Sequence, residues 1–463
     1  MTARSSVTAA PEPLEAYAAR FDDLFAQRSQ REGFRRYLEG LLLPAERNKT
    51  LTGLANTEPV VGAQHARAQG LQWFLSESTW AAATLNERRL ALLRADPATA
   101  PDARGVLVID EHGDRTWGHQ TAHVGRQYLA NLGKTDSGVV SVTSLWADAR
   151  VYYPLDYEPY TPKHHFANGK ADPAFRTKLP IAGELVTAAV AAGVPFRAVV
   201  ADSFYGEDAG FRRRLHELRV GYVLALKPSH GWWHKEGTIG TLKKAVAAAG
   251  WRDALHPGGW VRVARTFRDG HVETWWALEV VAGPYGPAPR LRAVIATTDP
   301  ATLPDHRTWY LATNLPTPGE QLVAAGALPP ADLAEVVRLY GLRMWVEQSY
   351  KQMRLLRLHG QLNARRRDRA TTTCPQNEWV TGRRARSGGA AGCTRPRSIR
   401  RSPASPQRAL ARFWCRRGWV GRWRVAGCYA GTFPSAPLRT GRDTFASSGS
   451  PGCSTPGGRG LPA

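Results

Sequence analysis

Three acidic residues stand where folding could bring them together. Asp110 closes the apolar run GVLVID (105–110), and Asp202 closes FRAVVAD (196–202). Glu347 lies in ADLAEVVRLYGLRMWVEQSYKQ (331–352), where Tyr340, Arg343, Glu347 and Lys351 follow one another at spacings of 3, 4 and 4. At about 100° per residue, those four side chains share a sector of roughly 80° on one helix. Each acid also has an ordinary use. An Asp after a strand commonly caps a helix or closes a turn. A Glu with Arg and Lys one turn away forms intrahelical ion pairs worth about a few tenths of a kcal/mol. In an open α/β sheet, however, sites form at the carboxyl ends of strands, so two strand-end Asp residues can meet at one edge. The set is made of carboxylates alone. All five cysteines (Cys374, Cys393, Cys415, Cys428 and Cys453) come late, are odd in number and lack the paired close spacing of a zinc site, which argues against zinc or disulfide chemistry.

The elements that must carry these acids read as follows. Residues 14–95 have helical periodicity, with Leu14, Tyr17 and Phe21 on one face and Phe34, Tyr37 and Leu41 on another. Ser76 and Ser78 are candidate N-caps before the run from Trp80. Arg35, Arg36, Arg47, Lys49 and Arg67 give this region the makings of a DNA-binding module, or simply a solvated face. After the linker ADPATAPDA the texture becomes β-rich. GVLVID reads as a central strand covered on both faces, and GVVSVTSLWAD and RVYYPLD form an antiparallel pair turning at Ala149–Arg150. IAGELVTAAVAAG (181–193) is a helix capped by Gly193, followed by strand, helix and strand (FRAVVAD, YGEDAGFRRRLHELR, GYVLALK). The expected fold is α/β, a mixed sheet with flanking helices after a helical N-terminal domain. The block 228–325, rich in Trp, Gly and Pro, reads as a β-rich insertion, and Pro329–Pro330 precede the long helix that carries Glu347. On that helix Leu333, Val336, Val337 and Met344 supply the packing stripe.

Three blocks in order resemble a known family. VLVIDEHGDRTWG with HVGRQYLANLGKTDSGVVSV is similar to the first acidic block of insertion-sequence transposases of the Asp-Asp-Glu superfamily. VVADSFYGEDAGF resembles the second block, and YGLRMWVEQSYKQ the third, with its Tyr, Arg, Glu spacing. The resemblance runs from about residue 20 to 352. It implies a ribonuclease H-like core in two parts (104–227 and 326–353) around the insertion, with 1–95 as the DNA-binding domain. It places Asp110, Asp202 and Glu347 as catalytic residues and ligands of two Mg²⁺ or Mn²⁺ ions. Glu111 and Asp114 compete with Asp110 for the first place. It further implies DNA contacts by Tyr340, Arg343, Lys351, Arg354 and Lys134, with Tyr128, Lys227, Trp232 and Trp233 as weaker candidates. Hard cations favour carboxylate and phosphate oxygens, which suits an all-acid set. Two of them can activate an attacking oxygen and neutralise a leaving one in phosphodiester cleavage. The implied partners are double-stranded DNA, at terminal inverted repeats and at the target, and a second copy of the chain. Two other readings fit these residues: a ribonuclease H-like nuclease without strand transfer, and a non-catalytic DNA-binding remnant acting as an inhibitor.

The bulk charge needs dividing before it is used. The chain has 463 residues and a net charge of +23, but from Arg354 onward there are 22 arginines, no lysine and three acids. The last 110 residues therefore hold +19, and the first 353 only +4. Arg354 stands where the family pattern has Lys, seven residues after the Glu. Beyond it the periodicity stops, while Arg, Gly, Pro, Ser, Cys and Trp rise together. GC-rich DNA translated out of frame yields that mixture; a disordered basic arm that grips DNA by charge is the other reading. Residues 354–463 are thus expected to be an out-of-frame, disordered tail that leaves the core without its closing helix. No run of eighteen apolar residues and no signal-type leader appear, so the expected setting is the bacterial cytoplasm, at the nucleoid, with no membrane partner.

Overall fold

The computed structural model describes residues 12–43, 50–59, 61–116, 122–130, 132–233, 239–280, 291–319 and 328–355. The expected tail beyond Leu355 lies outside them, as do Arg47 and Lys49.

Among the described residues the chain opens with five α-helices: α1 (Glu12–Ala19), α2 (Arg28–Leu42), α3 (Leu51–Leu54), α4 (Ala66–Ser76) and α5 (Ala82–Ala95). Phe21, Phe34, Tyr37 and Leu41 are buried as their spacing predicts. The serine caps are not. Ser76 ends α4 and donates back to the Gln72 carbonyl, Ser78 accepts from Gln30, and α5 starts after Ala81 with no side-chain cap. Among the basic residues, Arg35 is committed internally, bonded to Glu15 and Asp22.

The strands follow in order: β1 (Val106–Arg115), β2 (Gly125–Leu129), β3 (Lys134–Ala147) and β4 (Tyr152–Pro159). Helix α6 (Lys178–Ala191) leads to β5 (Ala198–Ala201), the short α7 (Ser203–Gly206), α8 (Ala209–Glu217) and β6 (Tyr222–Ala225). Next come a small hairpin, β7 (Gly231–Trp233) and β8 (Ile239–Thr241), helix α9 (Leu242–Ala247), and β9 (Val261–Thr266), β10 (Val272–Val280), β11 (Arg292–Thr297) and β12 (Thr308–Thr313). The described chain closes with α10 (Leu333–Gly341) and α11 (Met344–Leu355).

The main sheet runs β2-β3-β1-β5-β6-β12-β11-β10-β9, with β4 paired to β3. Within it β4-β3-β1 are antiparallel, while β1-β5 and β5-β6 are parallel. That is the ribonuclease H-like arrangement. The expected β3–β4 pair turns where Asp148 accepts from the backbone of Arg150 and Val151, and Gly193 caps α6 at φ +62°. Strands β9–β12 of the 228–325 block do not stand apart; they continue the same sheet from β6.

Side-chain alternation sorts the sheet into two faces. Leu107, Ile109, Val199 and Ala201 join α6, α8 and the N-terminal helices in one apolar cluster. The N-terminal helices thus share a core with the sheet, and Asn86 and Arg89 of α5 bond carbonyls of β4. Val106, Val108, Ala198 and Val200 point the other way, toward Val336, Val337, Leu339 and Val346 of α10 and α11.

One close approach explains the Tyr-Gly pair after Asp202. A Cβ on Gly206 would lie 1.9 Å from the Ala225 carbonyl oxygen of β6, so only glycine lets α7 sit against that strand. Gly206→Ala is expected to cost about 3 kcal/mol, at the upper end of overpacking effects. Urea unfolding checks this; an unchanged midpoint would refute the packing argument.

Candidate active site

The register of the sheet brings the two aspartates together. The last parallel rung between β1 and β5 is Ile109↔Ala201, so Asp110 and Asp202 are the next residues on adjacent strands. By alternation Asp110 shares the face of Val106 and Val108, beneath α10 and α11. Asp110 does not end its strand as expected. β1 continues to Arg115, held by antiparallel pairing to β3 (Asp110↔Thr143), and only the parallel partner stops. Asp202 does turn out of its strand. It caps α7, Oδ1 accepting from the Phe204 backbone at 3.0 Å.

Glu347 arrives by a different route. The single helix expected over 331–352 is broken: α10 ends at Gly341 and α11 begins at Met344. Between them Leu342, Arg343, Trp345 and Val346 bond carbonyls three residues back, a tightened turn. Glycine at 341 weakens the helix there, and it also admits Arg265, whose Nε would sit 3.1 Å from a Cβ. The break undoes the single-sector stripe. Tyr340 is buried edge-on against Trp309, ring centroids 5.0 Å apart, and burial pushes its hydroxyl up to about 12. Met344, expected in the packing stripe, is exposed instead. Arg343 and Glu347 stay together, Nη1 to Oε1 at 3.4 Å.

Arg343 is the point where the three acids converge. Its Nη2 donates to Asp110 Oδ2 at 3.1 Å and lies 3.9 Å from Asp202 Oδ2, while Nη1 faces Glu347. The acids differ in depth: side-chain exposure is 10% for Asp110, 37% for Asp202 and 56% for Glu347. Burial pushes the Asp110 carboxyl up to about 7; Arg343 opposes the shift and Asp202 adds to it. Burial also works against the Arg343 charge, but the surrounding acids overcome it and hold the guanidinium charged.

The competitors for the first acid separate by face. Glu111 points to the opposite side of β1 and pairs with Lys178 at 2.7 Å. Asp114 shares the Asp110 face but is buried beside His112, 3.4 Å away, and not at Arg343. Of the expected DNA contacts, Lys351 is exposed on α11, and Arg354 lies in α11 with its side chain outside the described residues. Lys134 starts β3, 3.7 Å from Asp136. Tyr128 and Lys227 are exposed, Trp232 is packed in a core, and the Trp233 side chain falls outside the described residues.

Sequence reasoning missed the residues that seat α11. The Tyr350 ring packs at a tilt against His112, centroids 4.6 Å apart, and its hydroxyl shares a hydrogen bond with Thr143 Oγ1, which in turn donates to the Asp110 carbonyl. Tyr350 lies three residues after Glu347, a spacing that could have marked it as a same-side neighbour. Arg197 ties β5 to α10 through Glu335 and the carbonyls of Pro329 and Pro330; nothing in the sequence marks that contact.

Carboxylates at the edge of a ribonuclease H-like sheet define a class of nucleases. Comparison with known proteins agrees. The family described as DDE superfamily endonuclease matches residues 20–274, a span holding Asp110 and Asp202 but ending before Glu347. A probable transposase for insertion sequence element IS701 from Microchaete diplosiphon is 32% identical over 340 residues, covering 73% of this chain and 78% of that protein. The chain belongs to the DDE superfamily of endonucleases, as an insertion-sequence transposase.

Enzymes of this family generally use divalent metal ions. The donor type here fits them: three carboxylates, all oxygen, one of them deep enough that its charge needs a cation. Among the described residues, however, no three His, Cys, Asp or Glu side chains are gathered tightly enough to hold one ion. The guanidinium of Arg343 lies among the three carboxylates. No described helix is long and apolar enough to cross a membrane.

Proposed function

We propose that the chain cuts phosphodiester bonds at the ends of its own element and joins the freed 3′ ends to target DNA. Asp110, Asp202 and Glu347 are its catalytic acids, and its substrate is double-stranded DNA bearing terminal inverted repeats, held by two copies of the chain. One observation carries this reading: acids from two strands and one helix, far apart in sequence, meet at a single side chain, Arg343. Structural ion pairs alone do not need three acids for one cation.

Asp110, Asp202 and Glu347 would hold two Mg²⁺ or Mn²⁺ ions. When bound, such ions activate the attacking oxygen and neutralise the leaving one. The protein's own part is positioning and charge. β1 and β5 fix the two aspartates by register, and Tyr350 with Thr143 seats α11 so that Glu347 stays above them. Arg343 and Lys351, on the same side of the site as Glu347, offer positive charge to backbone phosphates. Lys134, Tyr340 and Arg354 are assigned to the same DNA path. Residues 354–463 are read as out of frame.

The most exposed acid provides the sharpest test. Wild-type protein is expected to nick repeat-end DNA with Mg²⁺ or Mn²⁺ and not with EDTA. Glu347→Gln is expected to lose nicking by about 10³-fold or more while retaining DNA binding in a gel-shift assay. Normal nicking by Glu347→Gln would remove Glu347 from the site; binding with no cleavage by the wild type would favour the remnant reading.

A further inference from the structure

We propose that Arg343 competes with divalent ions for the site: its guanidinium reaches Asp110, Asp202 and Glu347 together and must withdraw for the ions to bind. The inference rests on the nuclease reading and adds to it a competition within the chain itself.

Three observations carry it. Arg343 is the shared partner of all three carboxylates, at 3.1, 3.9 and 3.4 Å, so ions drawn to those oxygens would meet a like charge a few ångströms away. Like charges that close repel strongly in a partly buried site. Among the described residues the acids are not gathered closely enough to hold one ion. They surround a planar fork, whose spread is wider than a cation's.

The third observation concerns the pose of Arg343 itself. It sits in the turn between α10 and α11, not inside a continuous helix. Its Nε is buried with no hydrogen-bond partner among the described residues. A buried donor left unpaired is costly, so the resting position does not use the whole fork. A phosphate oxygen could take that donor once the side chain leaves the acids, because bidentate recognition of phosphate suits a guanidinium. Arg343 would then serve in turn as a counter-ion to the acids and as a clamp on substrate.

The test is Mn²⁺ binding by the full chain without DNA, read as loss of the free-ion electron paramagnetic resonance signal. Arg343→Gln, which keeps a polar side chain and removes the charge, is expected to bind Mn²⁺ at least about tenfold more tightly than wild type, a difference of about 1.4 kcal/mol. Arg343→Lys keeps the charge on a single point and cannot span three carboxylates, so it is expected to fall between the two. It also guards against a Gln variant that fails to fold. Equal or weaker binding by folded Arg343→Gln, or by Arg343→Lys if only that variant folds, overturns the inference while leaving the nuclease reading intact. No Mn²⁺ binding by wild type or either variant would sink both.

Discussion

Asp110→Asn is expected to reduce cleavage by on the order of 10³-fold or more and, in metal-free buffer, to make the protein more stable above pH 7. The two effects share one cause. Asp110 is 7% exposed, and burial raises its carboxyl to about 7, against Arg343 and with Asp202. An unfolded Asp loses its proton near pH 3.9, so between about pH 4 and 7 the folded chain holds the extra proton. Stability then falls as pH rises through that window and stays lowered above it. Asn never ionises and escapes that loss. The gap in melting temperature between variant and wild type is therefore expected to be small near pH 4, to open up to about pH 7, and then to level off. Adding Mg²⁺ should narrow it by stabilising the wild type. A gap that is flat with pH, or that closes as pH rises, would show that Asp110 is not the strained acid.

Arg292→Met is expected to destabilise the fold by about 3–5 kcal/mol, the range for breaking a buried ion pair. Arg292 is 7% exposed on β11. Its Nε and Nη2 bond both oxygens of Glu279 at 2.9 and 2.8 Å, and Nη1 bonds the carbonyls of Leu315 and Ala331 at 2.8 and 2.9 Å. Methionine fills the space but leaves those acceptors without their donor. The second variant, Glu279→Met with Arg292→Met, is expected to be less damaged than the single one, because an orphaned charge costs more than an absent pair. The consequence reaches the site. Ala331 precedes Asp332, the N-cap of α10, so loosening this end frees the helix pair that carries Arg343 and Glu347. Cleavage is expected to fall along with stability. A single variant that unfolds at the wild-type urea concentration would mean that the Arg292 network is dispensable.

The sequence alone determined the parts with local signals. Short continuous apolar runs located β1, β5 and β6, because a strand covered on both faces is apolar throughout, and helical periodicity located the N-terminal helices, because burial of one face imposes a repeat. The three acid blocks, in order, were enough to place the chain in its family. The sequence could not determine which face of β1 looks toward α10 and α11, since a strand apolar on both faces reads the same from either side until something packs on it. That choice separates Asp110 from Glu111. Nor could it reveal that the helix breaks at Gly341: the heptad-like spacing continues through the break, and only the docking of Val336 and Val346 on one sheet, with Arg265 against Gly341, makes two helices better than one. The meeting of residues 110, 202 and 347 at Arg343 was likewise decided by tertiary structure. Sequence spacing reports neighbours along a chain, whereas this contact depends on the register of two parallel strands and the docking of a helix far downstream.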